Sequence, residues 1–376
     1  MYRQLLFFFY TLFIEINNII GISAFLLPFY LCKNTLYANI ILFFINAFFF
    51  IILFITHYRI KKNIVLGEVK KESYLYFLSD CFYYISILSI IMINIFYINS
   101  IIALYNNISF FYNVITIIVI LFLFILIKNK SSSIECFLAV TKCIVFIYFA
   151  YCLFNIKNIA GEGIIENNTI IKNILDSIPL LFFSFLGNDY IFHIEEDNEN
   201  QNTMNYTRIV ITFVLVSLFY IFFYMQLIKS FNYNIFLYNT NISAILLKNY
   251  MRGLNVGIHF LNVLMILVSF FNIYTLILKC QKIIEKIIQK TNQYHIIPEI
   301  IILFFIFFSI LVSSKILFIR NKIILIGVFF ATLSFFCYLL NSFRSYFSLL
   351  DKCFIGITIL FILIINIISA NQFINT

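Results

Sequence analysis

Residues 15–31 read EINNIIGISAFLLPFYL, and residues 177–196 read SIPLLFFSFLGNDYIFHIEE. Each stretch is an apolar run that is interrupted near its middle by small and polar residues, namely Gly21, Ser23, Ser184, Gly187 and Asn188. An unpaired backbone group in lipid costs several kcal/mol, so a helix breaks at that depth only where protein or a cavity surrounds the break. Interrupted segments at corresponding places in two halves of a chain are typical of a transporter binding site.

The composition of the chain excludes a soluble protein. Of its 376 residues, 63% are hydrophobic and 20% are aromatic, only 11% are charged, and the mean hydropathy is +1.02. About a quarter of the residues of a soluble domain are charged, and a disordered chain is poor in apolar residues. Since about 20 apolar residues in a helix cross a bilayer, we predict an all-α integral membrane protein with many spans.

About eleven transmembrane helices account for the apolar runs. We predict spans 1 to 11 at about 5–31, 36–57, 82–103, 110–127, 134–155, 173–194, 207–228, 255–278, 296–314, 322–341 and 353–370. Only short loops join them, so we expect residues 1–376 to form a single transmembrane domain. Five spans per half give the two halves opposite orientations, which predicts an inverted repeat of about 5–155 and 173–341. Span 11, at about 353–370, is an extra helix.

The positions of the basic residues along the chain indicate its orientation in the membrane. Lysine and arginine number 25 against 16 acidic residues, which gives a net charge of +9, and they lie mainly between the apolar runs. No nucleic-acid-binding module is visible, so we expect no nucleic-acid partner. The distribution of these cations favours a cytoplasmic N-terminus, and an odd number of spans then places the C-terminus outside or in a lumen. The plasma membrane and an internal, vacuolar or lysosome-like membrane both stay open.

The sequence carries no pattern of an enzyme or of a metal site. The eight cysteines form no CxxC pair and the four histidines are scattered, whereas metal sites need close ligand spacing. A glycine-rich phosphate loop and a G-x-S-x-G motif are also missing. We therefore expect neither an enzyme nor an ATP-driven pump, and no cofactor.

The two breaks predict a binding site for a zwitterion, unless both are ordinary kinks. At a break, one half-helix begins with free N–H groups and a partial positive charge, and another ends with free carbonyls and a partial negative charge. The predicted ligands of a substrate carboxylate are the backbone groups of Gly21, Ile22, Ser23 and Ala24. The substrate amine would bind the last carbonyls of the inner part of span 1 and those of Phe183, Ser184 and Phe185. The polar side chains nearby are Asn17, Ser23, Ser184 and Asn188.

Short motifs resemble the amino acid/auxin permease family, part of the amino acid–polyamine–organocation superfamily. In span 1, Asn17-x-x-x-Gly21-x-Ser23-x-x-x-Leu27-Pro28-Phe29 is similar to that family's N-x-x-x-G-x-G-x-L-x-L-P-[YF], with a serine in place of the second glycine. In span 6, Phe183-Ser184-Phe185-x-Gly187-Asn188 resembles F-x-F-x-[CG]-[HN]. The resemblance implies eleven spans in the LeuT-type 5+5 inverted-repeat fold, with discontinuous helices 1 and 6 that hold the substrate.

Two charged residues lie deep within predicted spans. Glu15 in span 1 and Lys142 in span 5 each fall about 12–15 Å from the start of their helix. A lone charge in a bilayer is costly, so such residues face cavities, pair or titrate. The fold that the resemblance implies brings the inner half of span 1 next to span 5, where the two residues can meet. We predict that Lys142 rather than Glu15 exchanges a proton during transport. The alternatives are that Lys142 snorkels to the surface and that Glu15 only pairs.

Together these expectations describe a secondary active transporter for amino acids that works by alternating access. Its coupling ion would be H⁺ or Na⁺, its ligand an amino acid and its surroundings the lipid bilayer, while a protein partner stays undefined. Two alternatives remain open. One is a transport-inactive nutrient sensor or scaffold with the same fold, which large cytoplasmic tails would favour. The other is a carrier for another small organic solute.

Overall fold

Every regular element in the described residues is a helix. In the computed structural model these residues are 34–65, 74–102, 140–148, 151, 170–186, 202–230, 255–291, 319–343, 349–375 and the span-1 positions 12, 16, 19, 20, 24, 26, 27 and 31. Spans 4 and 9, predicted at 110–127 and 296–314, lie outside the described residues.

The helices follow the predicted spans. They are Leu36–Val65 (span 2), Tyr74–Ile102 (span 3), 140–148 (span 5), Ile170–Phe185 (span 6), Asn202–Ser230 (span 7), Asn255–Thr291 (span 8), Ile319–Phe343 (span 10) and Leu349–Asn375 (span 11). Six of the described helices are long and apolar enough to cross a membrane, and the segments Leu36–His57 and Thr207–Ile228 coincide with predicted spans 2 and 7. The all-α membrane class is thereby confirmed, whereas the eleven spans and the inverted repeat stay predictions.

The helices of spans 2, 3 and 8 extend well beyond their predicted bounds, and span 2 continues to Val65. Span 3 begins at Tyr74 and not near residue 82, and span 8 continues to Thr291 and not to about residue 278. The extra turns of span 8 carry Ile283 and Ile284, which are buried in the same apolar cluster as Tyr83 of span 3. Because the extension of span 8 packs against span 3, the chain stays helical there past the apolar run that the sequence marks.

One face of several helices carries exposed apolar side chains. In span 5 these are Val140, Ile144, Ile147 and Tyr151, whose spacing places them on one side of the helix. Spans 2, 7 and 11 show the same pattern. Monomeric soluble proteins rarely expose large contiguous apolar patches, whereas in a bilayer such a face contacts acyl chains. These surfaces agree with an integral membrane protein.

The core of the described residues consists of two apolar clusters. The larger one lies mainly between spans 1, 2, 6, 7 and 10, and the smaller one joins spans 3 and 8. In the larger cluster, the ring of Phe50 in span 2 stacks on Phe182 (5.0 Å) and Phe185 (5.8 Å) of span 6 and on Phe213 (5.5 Å) of span 7. Aromatic pairs stabilise by about 0.5–1.5 kcal/mol beyond their area burial, so these rings hold the last turn of span 6 in place.

Span 10 packs closely against span 3. The Ser79 hydroxyl donates to the Ser334 carbonyl (2.9 Å), and the Ser334 hydroxyl donates to the Ser79 carbonyl (2.8 Å). Two turns away, a Cβ atom added at Gly327 would lie 2.9 Å from the Cβ atom of Ser89. Small residues therefore allow the two helix backbones to approach, as is typical of helix contacts in membranes.

Span 11 is attached to span 2 by charged and aromatic groups. The Arg59 guanidinium lies 2.8 Å from the Asp351 carboxylate and 5.0 Å from the centre of the Phe354 ring. On its other side, span 11 receives a hydrogen bond of 2.5 Å from Thr332 of span 10 to Asn366. Because Arg59 follows the apolar part of span 2 and Asp351 precedes that of span 11, these two helix ends share one face of the membrane.

Candidate functional site

The backbone of span 1 bends one residue before Gly21. It is helical at Ile16 and Ile19, and the Ile20 amide still donates to the Ile16 carbonyl (2.9 Å). The chain then bends at Ile20 and is helical again at Ala24. The last carbonyls of a helical segment have no partner within that segment, so the carbonyls of Ile19 and Ile20 need donors from elsewhere.

The helix of span 6 ends at Phe185, two residues before Gly187. The Leu186 amide donates to the Phe183 carbonyl (3.2 Å), a bond between residues three apart that tightens the last turn. The Ser184 hydroxyl donates to the Leu181 carbonyl (2.6 Å). A helix of 16 residues is about 24 Å long, which is shorter than the apolar thickness of a bilayer, about 30 Å. Span 6 is therefore too short, as a continuous helix in the described residues, to cross.

Tyr220 of span 7 joins the two helix ends. Its hydroxyl oxygen lies 3.2 Å from the Ile19 carbonyl and 2.9 Å from the Ser184 carbonyl, and it is the donor to both. The ring is fully buried, stacked on Phe43 and edge-on to Phe185. The hydroxyl group of Tyr220 therefore bridges the Ile19 carbonyl of span 1 and the Ser184 carbonyl of span 6.

Lys142 of span 5 binds the next carbonyl along span 1. Its side chain is 2% exposed, and its ammonium donates to the Ile20 carbonyl (3.3 Å). The carbonyl end of a helix carries a partial negative charge, which favours a cation at this place. The interpretation that Lys142 snorkels to the surface is wrong in this structure, because the ammonium is turned into the protein. Glu15, the residue that Lys142 was predicted to meet, lies outside the described residues.

A buried polar cluster caps the far end of span 1. The Leu31 carbonyl accepts hydrogen bonds from the Asn34 amide (3.0 Å), the Asn39 side-chain amide (2.9 Å) and the Tyr224 hydroxyl (3.1 Å). Tyr224 follows Tyr220 by one turn of span 7. One face of span 7 therefore binds backbone carbonyls at the bend of span 1 and at the far end of its outer part.

The structure describes part of the predicted site. Its described members are Ala24, Lys142, Phe183, Ser184 and Phe185, all of them buried. The other predicted residues lie outside the described part of the chain, and their roles stay predictions: Glu15, Asn17, Gly21, Ile22, Ser23, Gly187 and Asn188. Of the carbonyls expected to bind a substrate amine, those of Phe183 and Ser184 already accept hydrogen bonds from Leu186 and Tyr220.

Sequence reasoning missed Tyr220 and Tyr224. Both lie within the apolar run of span 7, in a chain that has 25 tyrosines, so neither stands out by composition. Their spacing of one helical turn was the available signal, since it places two hydroxyl groups on one face. The carbonyls that these hydroxyls bind are far away in sequence and become visible only in the fold.

Metal ligands are not grouped in the described residues. No set of three or more histidine, cysteine, aspartate or glutamate side chains there could hold a metal ion. The five described cysteines are free thiols. What the described residues offer chemically here is backbone carbonyls, buried hydroxyl groups and the buried ammonium groups of Lys142 and Lys279.

Comparison with known proteins finds solved structures with a similar fold. Neither a family model nor a curated protein matches the chain. Among 43 solved chains with a similar fold is the manganese transporter of Eremococcus coleocola, solved in complex with an aromatic bis-isothiourea substituted compound. The alignment has a TM-score of 0.65 and 11% sequence identity, and it covers 99% of this chain and 87% of that chain. The chain therefore shares its overall fold with this solved protein.

Proposed function

We propose that the chain is a secondary active transporter that moves amino acids across a membrane by alternating access. The observation that carries the proposal is the meeting of two helix ends at the Tyr220 hydroxyl, with the Ile19 and Ser184 carbonyls both within 3.2 Å of it. Two helices that end at one point inside a membrane, with their backbone groups directed there, are typical of a transporter site.

The charge pattern at these ends favours a zwitterion. Carbonyls that end the inner part of span 1 and the helix of span 6 present partial negative charge to an ammonium group. We propose that the amide groups predicted to open the outer part of span 1, at Gly21–Ala24, would present partial positive charge to a carboxylate. An amino acid carries one group of each kind, with Asn17, Ser23 and Asn188 as further polar partners. The sequence motifs around these residues also resemble those of amino acid/auxin permeases.

The position of Lys142 favours protons over Na⁺ as the coupling ion. Its ammonium lies at the Ile20 carbonyl, 3.3 Å away, where a bound metal cation would also find partial negative charge. A buried lysine can lose its proton, and it then stops competing for the carbonyl. We propose that this change alters the relative stability of the outward and inward states, which couples proton movement to substrate movement.

Helix pairing supports the inverted repeat. If spans 1–5 correspond to spans 6–10, each contact between two spans has an equivalent. Spans 2 and 7 pack together, as do spans 3 and 8, and each of these pairs is its own equivalent. Span 6 contacts spans 2 and 10. The equivalent contacts, of span 1 with spans 7 and 5, are the hydrogen bonds from Tyr220 to Ile19 and from Lys142 to Ile20.

A divalent cation is the second candidate substrate, because one of the solved proteins with a similar fold is a manganese transporter. Manganese prefers several carboxylate, carbonyl or water oxygens. The described residues supply no cluster of acidic, histidine or cysteine side chains, and an ammonium group already occupies the carbonyl of Ile20. These observations favour the amino acid.

Transport in liposomes tests the proposal. Purified protein is reconstituted, and uptake of each ¹⁴C-labelled proteinogenic L-amino acid is measured with an inward proton gradient, an inward Na⁺ gradient or neither, while Mn²⁺ entry is followed with a trapped dye. We expect at least one amino acid to accumulate under the proton gradient and to raise the thermal unfolding midpoint of the protein. Collapsing the gradient with a protonophore is the control. Mn²⁺ entry without amino acid uptake would favour the second candidate.

A further inference from the structure

The Tyr220 hydroxyl lies between two carbonyls that it cannot satisfy at the same time. Its oxygen is 3.2 Å from the Ile19 carbonyl of span 1 and 2.9 Å from the Ser184 carbonyl of span 6. A phenol donates one proton, so one of the two carbonyls receives a full hydrogen bond and the other does not. The ring is buried against Phe43 and Phe185, which fixes the oxygen at this place.

We propose that Tyr220 is a positioning residue that stands in for the substrate amine in the empty transporter and ties span 1 to span 6. This inference rests on the proposed function, because the amine of an amino acid would use the Ser184 carbonyl. An arriving ammonium has three protons and donates one to Ser184, and the Tyr220 proton then turns wholly to Ile19. Both carbonyls then receive their own donor when substrate is present, and they share the single Tyr220 proton when it is absent.

Tyr224 provides a matched comparison on the same helix. Its hydroxyl donates to the Leu31 carbonyl (3.1 Å) and accepts from the Asn39 side-chain amide (2.7 Å). The Leu31 carbonyl also accepts directly from Asn39 (2.9 Å). Removal of the Tyr224 hydroxyl therefore leaves its carbonyl with a donor, whereas removal of the Tyr220 hydroxyl takes a donor from two carbonyls at once.

Loss of the Tyr220 hydroxyl acts differently on the empty and the loaded protein. Loss of a donor to a buried carbonyl costs free energy, and in the empty protein Ile19 and Ser184 both lose the one donor that they share. In the loaded protein the substrate amine covers Ser184. Exchange of substrate across the membrane uses only the loaded protein, whereas net uptake also requires the empty protein to return. Net uptake is therefore the more sensitive process.

The test compares Tyr220→Phe with Tyr224→Phe in the full chain. Net uptake and exchange of a mixture of ¹⁴C-labelled L-amino acids are measured in liposomes, and hydrogen–deuterium exchange is measured in detergent without substrate. For Tyr220→Phe we expect net uptake to fall about tenfold and substrate exchange by less than about twofold. Backbone amides of residues 16–24 and 181–188 should exchange about fivefold faster, which corresponds to one lost buried hydrogen bond. Tyr224→Phe should leave both segments and both rates at wild-type values.

Two results overturn the proposal: wild-type amide protection of both segments in Tyr220→Phe, or an equal loss of net uptake and substrate exchange. If the wild-type protein takes up no amino acid, the proposed function and the amine role fail together, and the amide data still decide whether Tyr220 ties the spans. Should Tyr220→Phe not be recovered folded, 3,5-difluorotyrosine at position 220 replaces it. This residue keeps the ring and is a stronger hydrogen-bond donor, so we expect slower amide exchange in both segments. Unchanged amide exchange would contradict the proposal that the Tyr220 hydroxyl links span 1 to span 6.

Discussion

At the residue scale, a lysine within the apolar interior has to be stabilised by its surroundings. Lys142 is 2% exposed, and its ammonium donates to a backbone carbonyl at the bend of span 1. A charge at this depth is expensive in lipid, but the carbonyl end of a helix offers partial negative charge and an acceptor. The bend in span 1 and the charge in span 5 therefore stabilise each other.

Replacing Lys142 by methionine tests its role in coupling. Met keeps the length and the apolar stem of the side chain but removes the proton and the donor. A hydrogen bond to a charged group contributes about 1.5–3 kcal/mol, so we expect uptake driven by a proton gradient to fall about tenfold or more. The remaining uptake should no longer change with pH. Both quantities are measured as initial rates in liposomes over a series of pH values.

Lys282→Met is the control for this prediction, because Lys282 is exposed on the extension of span 8. It should leave the rate and its pH dependence unchanged. A Lys142→Met protein whose uptake follows the wild-type pH profile would show that the lysine has a structural role only.

At the scale of elements, the contact of spans 3 and 10 depends on the absence of a side chain at Gly327. A Cβ atom there would come to 2.9 Å from the Ser89 Cβ atom and to 3.6 Å from the Phe183 ring. Carbon atoms at 2.9 Å clash, and neither helix backbone can move without disturbing the reciprocal serine bonds near Ser79. Gly327 thus links the packing of spans 3 and 10 to the last turn of span 6.

Gly327→Ala is expected to lower the free energy of unfolding by about 1–3 kcal/mol, the usual cost of overpacking a core. The midpoint of thermal unfolding in detergent measures the change. Gly356→Ala in span 11 is the matched control, since a Cβ atom at Gly356 meets nothing within 4 Å. Alanine is a better helix former there, so this variant should be neutral or up to about 1 kcal/mol more stable. A Ser89→Gly change should restore the stability of Gly327→Ala, and failure to do so would refute the clash.

At the scale of the whole molecule, the helix ends divide into two faces. Arg59 and Asp351 form an ion pair between the end of span 2 and the start of span 11. The two residues therefore lie on the same side of the membrane, and the chain between them must cross the membrane an even number of times. The eight predicted crossings of spans 3–10 satisfy this condition. The ion pair therefore agrees with eleven spans, including the two that lie outside the described residues.

Cysteine labelling tests this topology. In a protein whose native cysteines are replaced by serine, single cysteines are placed at the exposed positions Lys172, Lys282 and Lys352. In sealed vesicles, an impermeant maleimide should label position 172 from one side and positions 282 and 352 from the other. Labelling of 172 and 352 from the same side would contradict the predicted number of spans.

The sequence was sufficient for the coarse architecture because hydropathy reports lipid contact directly. It located the apolar segments of spans 2 and 7, although their helices run further, to Val65 and from Asn202 to Ser230. It failed at the end of span 8, because Ile283 is buried by span 3 and not by lipid. In the candidate site, the sequence identified Lys142 and Ser184 as unusual polar residues in apolar runs. It could not identify Tyr220, because the partners of this residue are backbone carbonyls in other spans.

The length of span 8 has a mechanical consequence. Its helix, Asn255–Thr291, has 37 residues and is about 55 Å long, nearly twice the hydrocarbon thickness of a bilayer, about 30 Å. A helix of this length extends beyond the lipid, and its extension past Glu285 is one continuous helix to Thr291. A small change of tilt within the bilayer becomes a larger sideways displacement at Thr291, so a fluorescent probe on this tip would report rearrangements of the buried helices from the aqueous side.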